Sequence, residues 1–253
     1  MAERVDNMPK TAREKSETGI YHIMLRGIDK RNLFLEKSDY EKFIEYIVKA
    51  KEKTDFTVYA YCLMTNHVHM LLKTENEGIG NIIRRITVGY AQYHNIKNSR
   101  TGHLFQNRFK SEPVDTDEYF LTVLRYIHQN PLKAKMVKKI EDYKWSSYNA
   151  YVNKNNTLVA TNFALNFFKD LNAFIDHALE RNDDQCLEYT PRRRYTDEEL
   201  EKAISSLVDI PGINNIEKKA KETILKNIKS TTGASNRQLA RVLKIGRGTM
   251  DRI

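Results

Sequence analysis

The chain has 253 residues, 40% hydrophobic and 30% charged, a balance that excludes a disordered, collagenous or low-complexity protein. At about 150 residues per domain it has room for one large domain or two smaller ones, each with a real core. Lys and Arg number 42 against 33 Asp and Glu, so the net charge of +9 fits either a polyanionic partner or a well-solvated basic surface.

Residues 1–18 are polar and read as a flexible arm. Residues 20–25 predict a strand, closed by Gly27. Ser38 is placed to cap a helix reaching Lys53, with Phe43, Ile44, Ile47 and Val48 at helical spacing. Residues 56–64 are rich in β-formers, Thr65 and Asn66 make a turn, and residues 67–73 return as the second arm of a hairpin. After a loop, residues 81–95 predict a helix with Ile82, Ile86, Tyr90 and Tyr93 along one face, broken by residues 99–102. Residues 109–114 predict a short fourth strand. Residues 115–117 form a cap-rich turn into a helix over 118–129, expected to stop before Pro131. The order β-α-β-β-α-β-α predicts an α/β sandwich of ferredoxin-like type with an antiparallel sheet.

Beyond residue 152 the pattern weakens. Residues 153–156 and 181–184 read as loops, 163–179 as a helix, and 191–194 as a boundary. Thr196 and Glu199 form a capping box that opens an all-helical C-terminal stretch. There, residues 235–243, 244–246 and 248–253 resemble the first helix, turn and recognition helix of a helix-turn-helix. Arg247, Thr249 and Arg252 are then candidates for duplex contact, although Leu239, Leu243, Ile245 and Met250 have a spacing that any small helical core would show. The expected organisation is an arm over 1–18, a main α/β domain over 19–152, a helical connector over 153–195 and a helical domain over 196–253.

The only cysteines, Cys62 and Cys186, form no metal-type pair and no disulfide framework. They fit a reducing, cytoplasmic setting, nucleoid-associated if the source is bacterial. The N-terminal residues have no signal-peptide core, and no apolar run reaches the ~18–20 residues of a membrane helix. No membrane partner is expected.

The sharpest chemical feature is His67-Val68-His69. On a strand, residues i and i+2 share a face, so two imidazoles stand together, spaced either for one divalent ion or to cover part of a sheet. Tyr126 and Asn130 are i and i+4 on one helical face. Tyr126 is either a core aromatic or a nucleophile able to form a covalent phosphotyrosine. Asn130 offers a hard carbonyl oxygen, better suited to Mg²⁺ or Mn²⁺ than to Zn²⁺.

Four motifs occur in order: Asn66-His-Val-His-Met-Leu-Leu72, Gly102-His-Leu-Phe-Gln-Asn-Arg-Phe-Lys-Ser111, Arg125-Tyr-Ile-His-Gln-Asn-Pro131 and Tyr143-Lys-Trp-Ser-Ser-Tyr148. Together they resemble the single-tyrosine HUH transposases, in particular the REP-associated tyrosine transposase-like branch, over roughly residues 18–152. The resemblance implies that 19–152 is the catalytic domain, a metal-dependent DNA transposase that nicks and rejoins single strands. His67 and His69 would be metal ligands for Mg²⁺ or Mn²⁺, Asn130 the third ligand, and Tyr126 the nucleophile that forms a 5′-phosphotyrosine. Tyr119, earlier on the same helix, is its competitor. Hairpin-forming single-stranded DNA and a second copy of the chain are the implied partners. Thr65 stands where relatives often have Pro, and Asn107 where they often have Gly. Arg84, Arg85, His103, Arg108, Lys110, Lys133, Lys135, Lys138 and Lys139 are candidates for the DNA backbone, which basic side chains bind without reading sequence. His128 is expected to face away from Tyr126, and Trp145 either to stack on an unpaired base or to anchor its segment. Two further readings stay open: a domesticated DNA-binding regulator without turnover, and a metal-dependent hydrolase that uses water.

Overall fold

The computed structural model describes residues 13–153, 157–181, 184, 186, 187, 195–208, 210, 216, 218–232 and 234–251. Most of the arm, the loop at 154–156, parts of the loop at 181–184, the boundary at 191–194 and Arg252 lie outside the described residues. The chain divides into two compact units, residues 1–189 and 190–253.

The first unit is the α/β sandwich that the element order predicts. Its strands are β1 (Ile20–Arg26), β2 (Phe56–Met64), β3 (His67–Thr74) and β4 (Lys110–Pro113). They form one antiparallel sheet in the order β2-β3-β1-β4. Helices α1 (Lys37–Lys53) and α2 (Ile79–Lys97) connect β1 to β2 and β3 to β4, and α3 (Asp117–Lys133) follows β4. Burial of Ile23, Val58, Met70, Leu72, Phe43, Ile47, Ile82, Ile86, Val123 and Ile127 in one core supplies the driving force. The helices form because their apolar residues recur at the 3.6-residue period, and α1 and α2 pack closely. An added Cβ on Gly89 of α2 would fall 2.4 Å from the Tyr46 ring of α1.

Three local expectations are corrected. The cap of α1 is Glu36, not Ser38. Glu36 and Asp39 make a reciprocal capping box, and the buried Asp39 carboxylate accepts from the amides of Leu35 (2.8 Å) and Glu36 (3.1 Å), from Tyr93 Oη (3.1 Å) and from Lys97 (2.5 Å). Helix α3 does not stop before Pro131 but runs on to Lys133. The proline forfeits one backbone bond, yet Ala134 N still donates to the Asn130 carbonyl and Met136 N to that of Pro131, and the ring is buried. The stretch 163–179 is two helices, α5 (Thr161–Leu165) and α6 (Leu171–Leu179), the second capped by Asp170 through its bond from Ala173 N.

Those two helices, with α4 (Tyr148–Asn153), contribute Ala164, Phe174, Ala178 and Tyr151 to the core of the first unit. The segment before α4 lies along the outer edge of β2. Leu63 N donates to the Trp145 carbonyl and Ser147 N to that of Tyr61, both at 2.9 Å, and Ala160 N donates to the Val58 carbonyl at 2.8 Å. Trp145 itself stacks on Tyr40, with ring centroids 4.5 Å apart, so it anchors its segment. Asp115 ties down the end of the arm through bonds from Ser16 Oγ (2.6 Å) and Glu17 N (2.9 Å). Asn107 takes φ +53°, a left-handed conformation that Asn tolerates better than most residues.

In the second unit, α7 (Asp197–Ser205), α8 (Lys218–Thr232), α9 (Asn236–Val242) and α10 (Arg247–Asp251) bury Leu200, Ile204, Leu225, Ile228, Leu239, Leu243 and Met250. The Thr196–Glu199 capping box is present, with both bonds made, and Ser235 Oγ caps α9 by accepting from Gln238 N.

Candidate active site

The alternation of β3 sends His67, His69 and Leu71 to one face of the sheet and Val68, Met70 and Leu72 to the other. The face of His69 is the one covered by α3, because the His69 and Tyr126 rings meet edge-on with centroids 5.5 Å apart. The His67 and His69 rings lie 5.2 Å apart, nearly perpendicular. His67 is half-buried, while His69 and Tyr126 are 1% and 3% exposed. His67, His69 and Tyr126, far apart in sequence, are thus brought together. Asn130 sits one turn beyond Tyr126 and is buried; its Nδ2 donates to the Tyr126 carbonyl at 2.9 Å, which leaves Oδ1 outside that bond.

A residue that the sequence reading passed over stands in the same cluster. His22, fully buried on β1, lies with its Nε2 3.0 Å from His69 Nδ1, and its ring 5.9 Å from that of Tyr126. Its cross-strand neighbour on β4 is Glu112. The available signal was a histidine in the middle of an otherwise apolar strand, where an imidazole needs a reason to be desolvated. Burial holds His22 neutral, its pKa pushed down to about 3. Burial, with the nearby His22 and His67 rings, holds His69 well below the ordinary histidine range. A neutral imidazole is the form that can ligate a metal.

His67 and His69 each have Nδ1 occupied, by Asn66 Oδ1 at 2.7 Å and by His22 Nε2 at 3.0 Å. Ligating histidines are characteristically oriented in this way, through the ring nitrogen that does not face the metal. Among the described residues no group of three His, Cys, Asp or Glu side chains is placed to hold an ion, so an ion bound at this cluster would need the two imidazoles and the Asn130 amide oxygen together. That donor set of two neutral nitrogens and one hard oxygen suits a divalent first-row ion or Mg²⁺.

Tyr119 is differently placed. Among the described ring contacts none joins it to a histidine; its hydroxyl bonds the Glu112 carboxylate, and burial, with that carboxylate, pushes its pKa up. His128 is buried and turned to the other side of α3, with Nε2 2.9 Å from Ser147 Oγ and its ring among Tyr148, Tyr151 and Phe174.

The basic candidates scatter. Lys133 is brought to the cluster, its Nζ 5.4 Å from the centre of the Tyr126 ring. Lys110 lies on β4. His103, Arg108, Lys135 and Lys138 are exposed or nearly so on loops. Arg84 and Arg85 instead line a cleft between α1 and α2 with Tyr46, Lys49 and Lys53, where Arg85 is paired with Glu77. In the second unit Arg247 opens α10 and Thr249 is half-buried on it.

Residues 15–130 match the profile of the family described as IS200-like transposase. A Haemophilus influenzae protein described as a REP-associated tyrosine transposase is 24% identical over 154 residues, spanning 56% of this chain and 86% of its own length. The structure of a REP-associated tyrosine transposase bound to a REP hairpin superposes with a TM-score of 0.52 at 20% identity, covering 60% of this chain and 89% of that one. A Deinococcus radiodurans structure described as a transposase reaches a TM-score of 0.34 at 13% identity, over 53% of this chain and 98% of that one. No helix among the described residues is long and apolar enough to cross a membrane. Over residues 15–130 the chain is thus similar to IS200-like transposases, and its first unit shares the fold of the REP-associated tyrosine transposase structure.

Proposed function

We propose that this chain cuts and rejoins single-stranded, hairpin-forming DNA through a covalent phosphotyrosine at Tyr126, with a divalent ion held by His67, His69 and Asn130. The observation that carries the reading is the placement of the Tyr126 ring 5.5 Å from that of His69, on the sheet face shared with His67. A bound Mg²⁺ or Mn²⁺ would polarise the scissile phosphate as a Lewis acid. Tyr126 Oη attacks phosphorus and loses its proton; the bond to the 3′ oxygen breaks, and that oxygen leaves as a 3′-hydroxyl. The 5′ side of the cut stays on the tyrosine. Because one phosphodiester replaces another, the step reverses without a high-energy cofactor, and a second 3′-hydroxyl can take the strand. Lys133 places a positive charge over the Tyr126 ring, beside the path of the phosphate anion. The other basic side chains contribute phosphate contacts that set affinity rather than sequence, and two copies of the chain act together.

The test is incubation of the full chain with hairpin oligonucleotides and Mn²⁺. The expected product is a denaturant-stable protein–DNA adduct that maps to Tyr126. It is abolished by EDTA and in Tyr126→Phe, and retained in Tyr119→Phe. An adduct on Tyr119, or cleavage that persists in Tyr126→Phe, refutes the assignment. One observation favours the regulator reading: Tyr126 is only 3% exposed, so substrate must displace what covers it. That reading predicts salt-sensitive DNA binding and no adduct with any ion.

A further inference from the structure

Two polar atoms beside the cluster are buried without a hydrogen-bond partner among the described residues: Nδ1 of His22 and Oε2 of Glu112. They face each other at 3.9 Å. One is a potential donor and the other an acceptor, and leaving either orphaned in the interior is unfavourable. The register fixes their approach, since His22 and Glu112 are direct cross-strand partners on β1 and β4. On its other side His22 reaches across to β3, where its Nε2 meets His69 Nδ1 at 3.0 Å. Glu112, His22 and His69 therefore make a row across three neighbouring strands, straight across from β4 to β1 and then diagonally to β3, where the direct partner of His69 is Met24.

We propose that Glu112 and His22 are positioning residues that fix the tautomer and ring orientation of His69. A neutral imidazole carries one N–H, so the row has a single consistent pattern of donors. Glu112 accepts from His22 Nδ1–H. His22 then has a bare Nε2, which accepts from His69 Nδ1–H. His69 is left with its Nε2 lone pair directed out of the row. An N–H···O bond closes at about 2.9 Å, so Glu112 needs to swing inward by about 1 Å. The carboxylate thus acts on the proposed ligand through an intervening imidazole, where an orienting carboxylate normally bonds the ligand directly. Tyr119, whose hydroxyl also bonds Glu112, steadies the outer end of the row. In this arrangement Tyr119 serves the site without touching phosphorus.

The proposal rests on the reading of His69 as a metal ligand, but its first test needs neither metal nor DNA. Long-range ¹H–¹⁵N spectra of the full chain, labelled at histidine, report which ring nitrogen is protonated. The expected result is Nδ1–H on both His22 and His69. Nε2–H on His69 overturns the proposal. The second test is Mn²⁺ titration by calorimetry. Loss of an orienting partner typically weakens metal affinity 10–100-fold, so His22→Phe is expected to lose at least about tenfold. His22→Gln, whose Oε1 can still accept from His69 Nδ1–H, is expected to recover most of it. Should His22→Phe not fold, Glu112→Ala, at a partly exposed position, is expected to weaken Mn²⁺ binding several-fold and to move the His22 proton toward Nε2. Mn²⁺ affinity within about twofold of the unmodified chain in His22→Phe, or in Glu112→Ala should His22→Phe not fold, overturns the proposal. If the unmodified chain binds no Mn²⁺, the proposed function fails, while the His69 tautomer still decides this inference.

Discussion

Phe174→Ala tests whether the stretch after residue 157 is part of the core of the first unit or an appendage to it. Phe174 is completely buried. Its ring stacks on Tyr151 at 4.9 Å and 15°, and meets Phe168 at 5.5 Å, Tyr148 at 6.1 Å and His128 at 6.3 Å. Truncation of a core Phe to Ala costs about 3–5 kcal/mol, and aromatic pairs add about 0.5–1.5 kcal/mol each beyond the area they bury. Four such neighbours keep the expected loss off the lower end of that range, at about 4 kcal/mol. The assay is urea unfolding followed by tryptophan fluorescence. Trp145 is the one tryptophan of the chain and stacks on Tyr40 in the first unit, so its signal reports that unit alone. With a slope of about 2 kcal/mol per molar urea, the midpoint should fall by about 2 M. A fall below about 0.5 M would mean that α6 contributes no core to the sandwich, and the packing argument would be wrong.

Asp39→Asn should destabilise the first unit by about 2–4 kcal/mol at pH 7, because it removes the charge from a buried group that accepts four bonds. Burial alone would raise the Asp39 pKa, but the Lys97 bond and the Leu35, Glu36 and Tyr93 donors outweigh it and hold the pKa below the usual value. A carboxylate with a depressed folded pKa stabilises above its unfolded pKa and loses that contribution as pH falls through the folded one. The gap between unmodified chain and variant should therefore narrow below pH 4 in urea titrations; an unchanged gap at pH 3 would contradict the linkage. Ser147→Ala strips partners from Tyr61 N (3.0 Å) and His128 Nε2 at once. It should cost about 1–3 kcal/mol by the same fluorescence readout, and a neutral result would show that the two groups re-pair. Thr196→Ala removes the capping box of α7 and should cost about 1 kcal/mol. That loss should appear in thermal circular dichroism of the second unit and leave the Trp145 midpoint unmoved.

The strands and helices of the first unit are legible from their periodicities because each buries a face whose pattern matches its own geometry. The departures occur where a tertiary contact outweighs a local rule. Pro131 ends a helix by propensity, yet burial keeps it inside α3, and with it Asn130 stays in register with Tyr126. The cap of α1 falls on Glu36 rather than Ser38 because the Lys97 ammonium, 58 residues from Asp39, favours carboxylates there. His67, His69 and Tyr126 can be picked out by motif and spacing. The row through His22 cannot, since it depends on which strands become neighbours: His22 and Glu112 are 90 positions apart and meet only once β4 pairs with β1.

The covered edge of β2 has a consequence for how copies of this chain can associate. Sheet growth by strand addition needs an open row of backbone donors and acceptors. On the β2 side those groups are already taken by residues 145–147 and 160. The opposite border, β4, is four residues long, carries Lys110 and Glu112 and ends at Pro113, which has no amide proton. Among the described residues, therefore, neither border of this sheet offers a long open template for an intermolecular sheet, which favours pairing between copies through side chains on helical or loop surfaces.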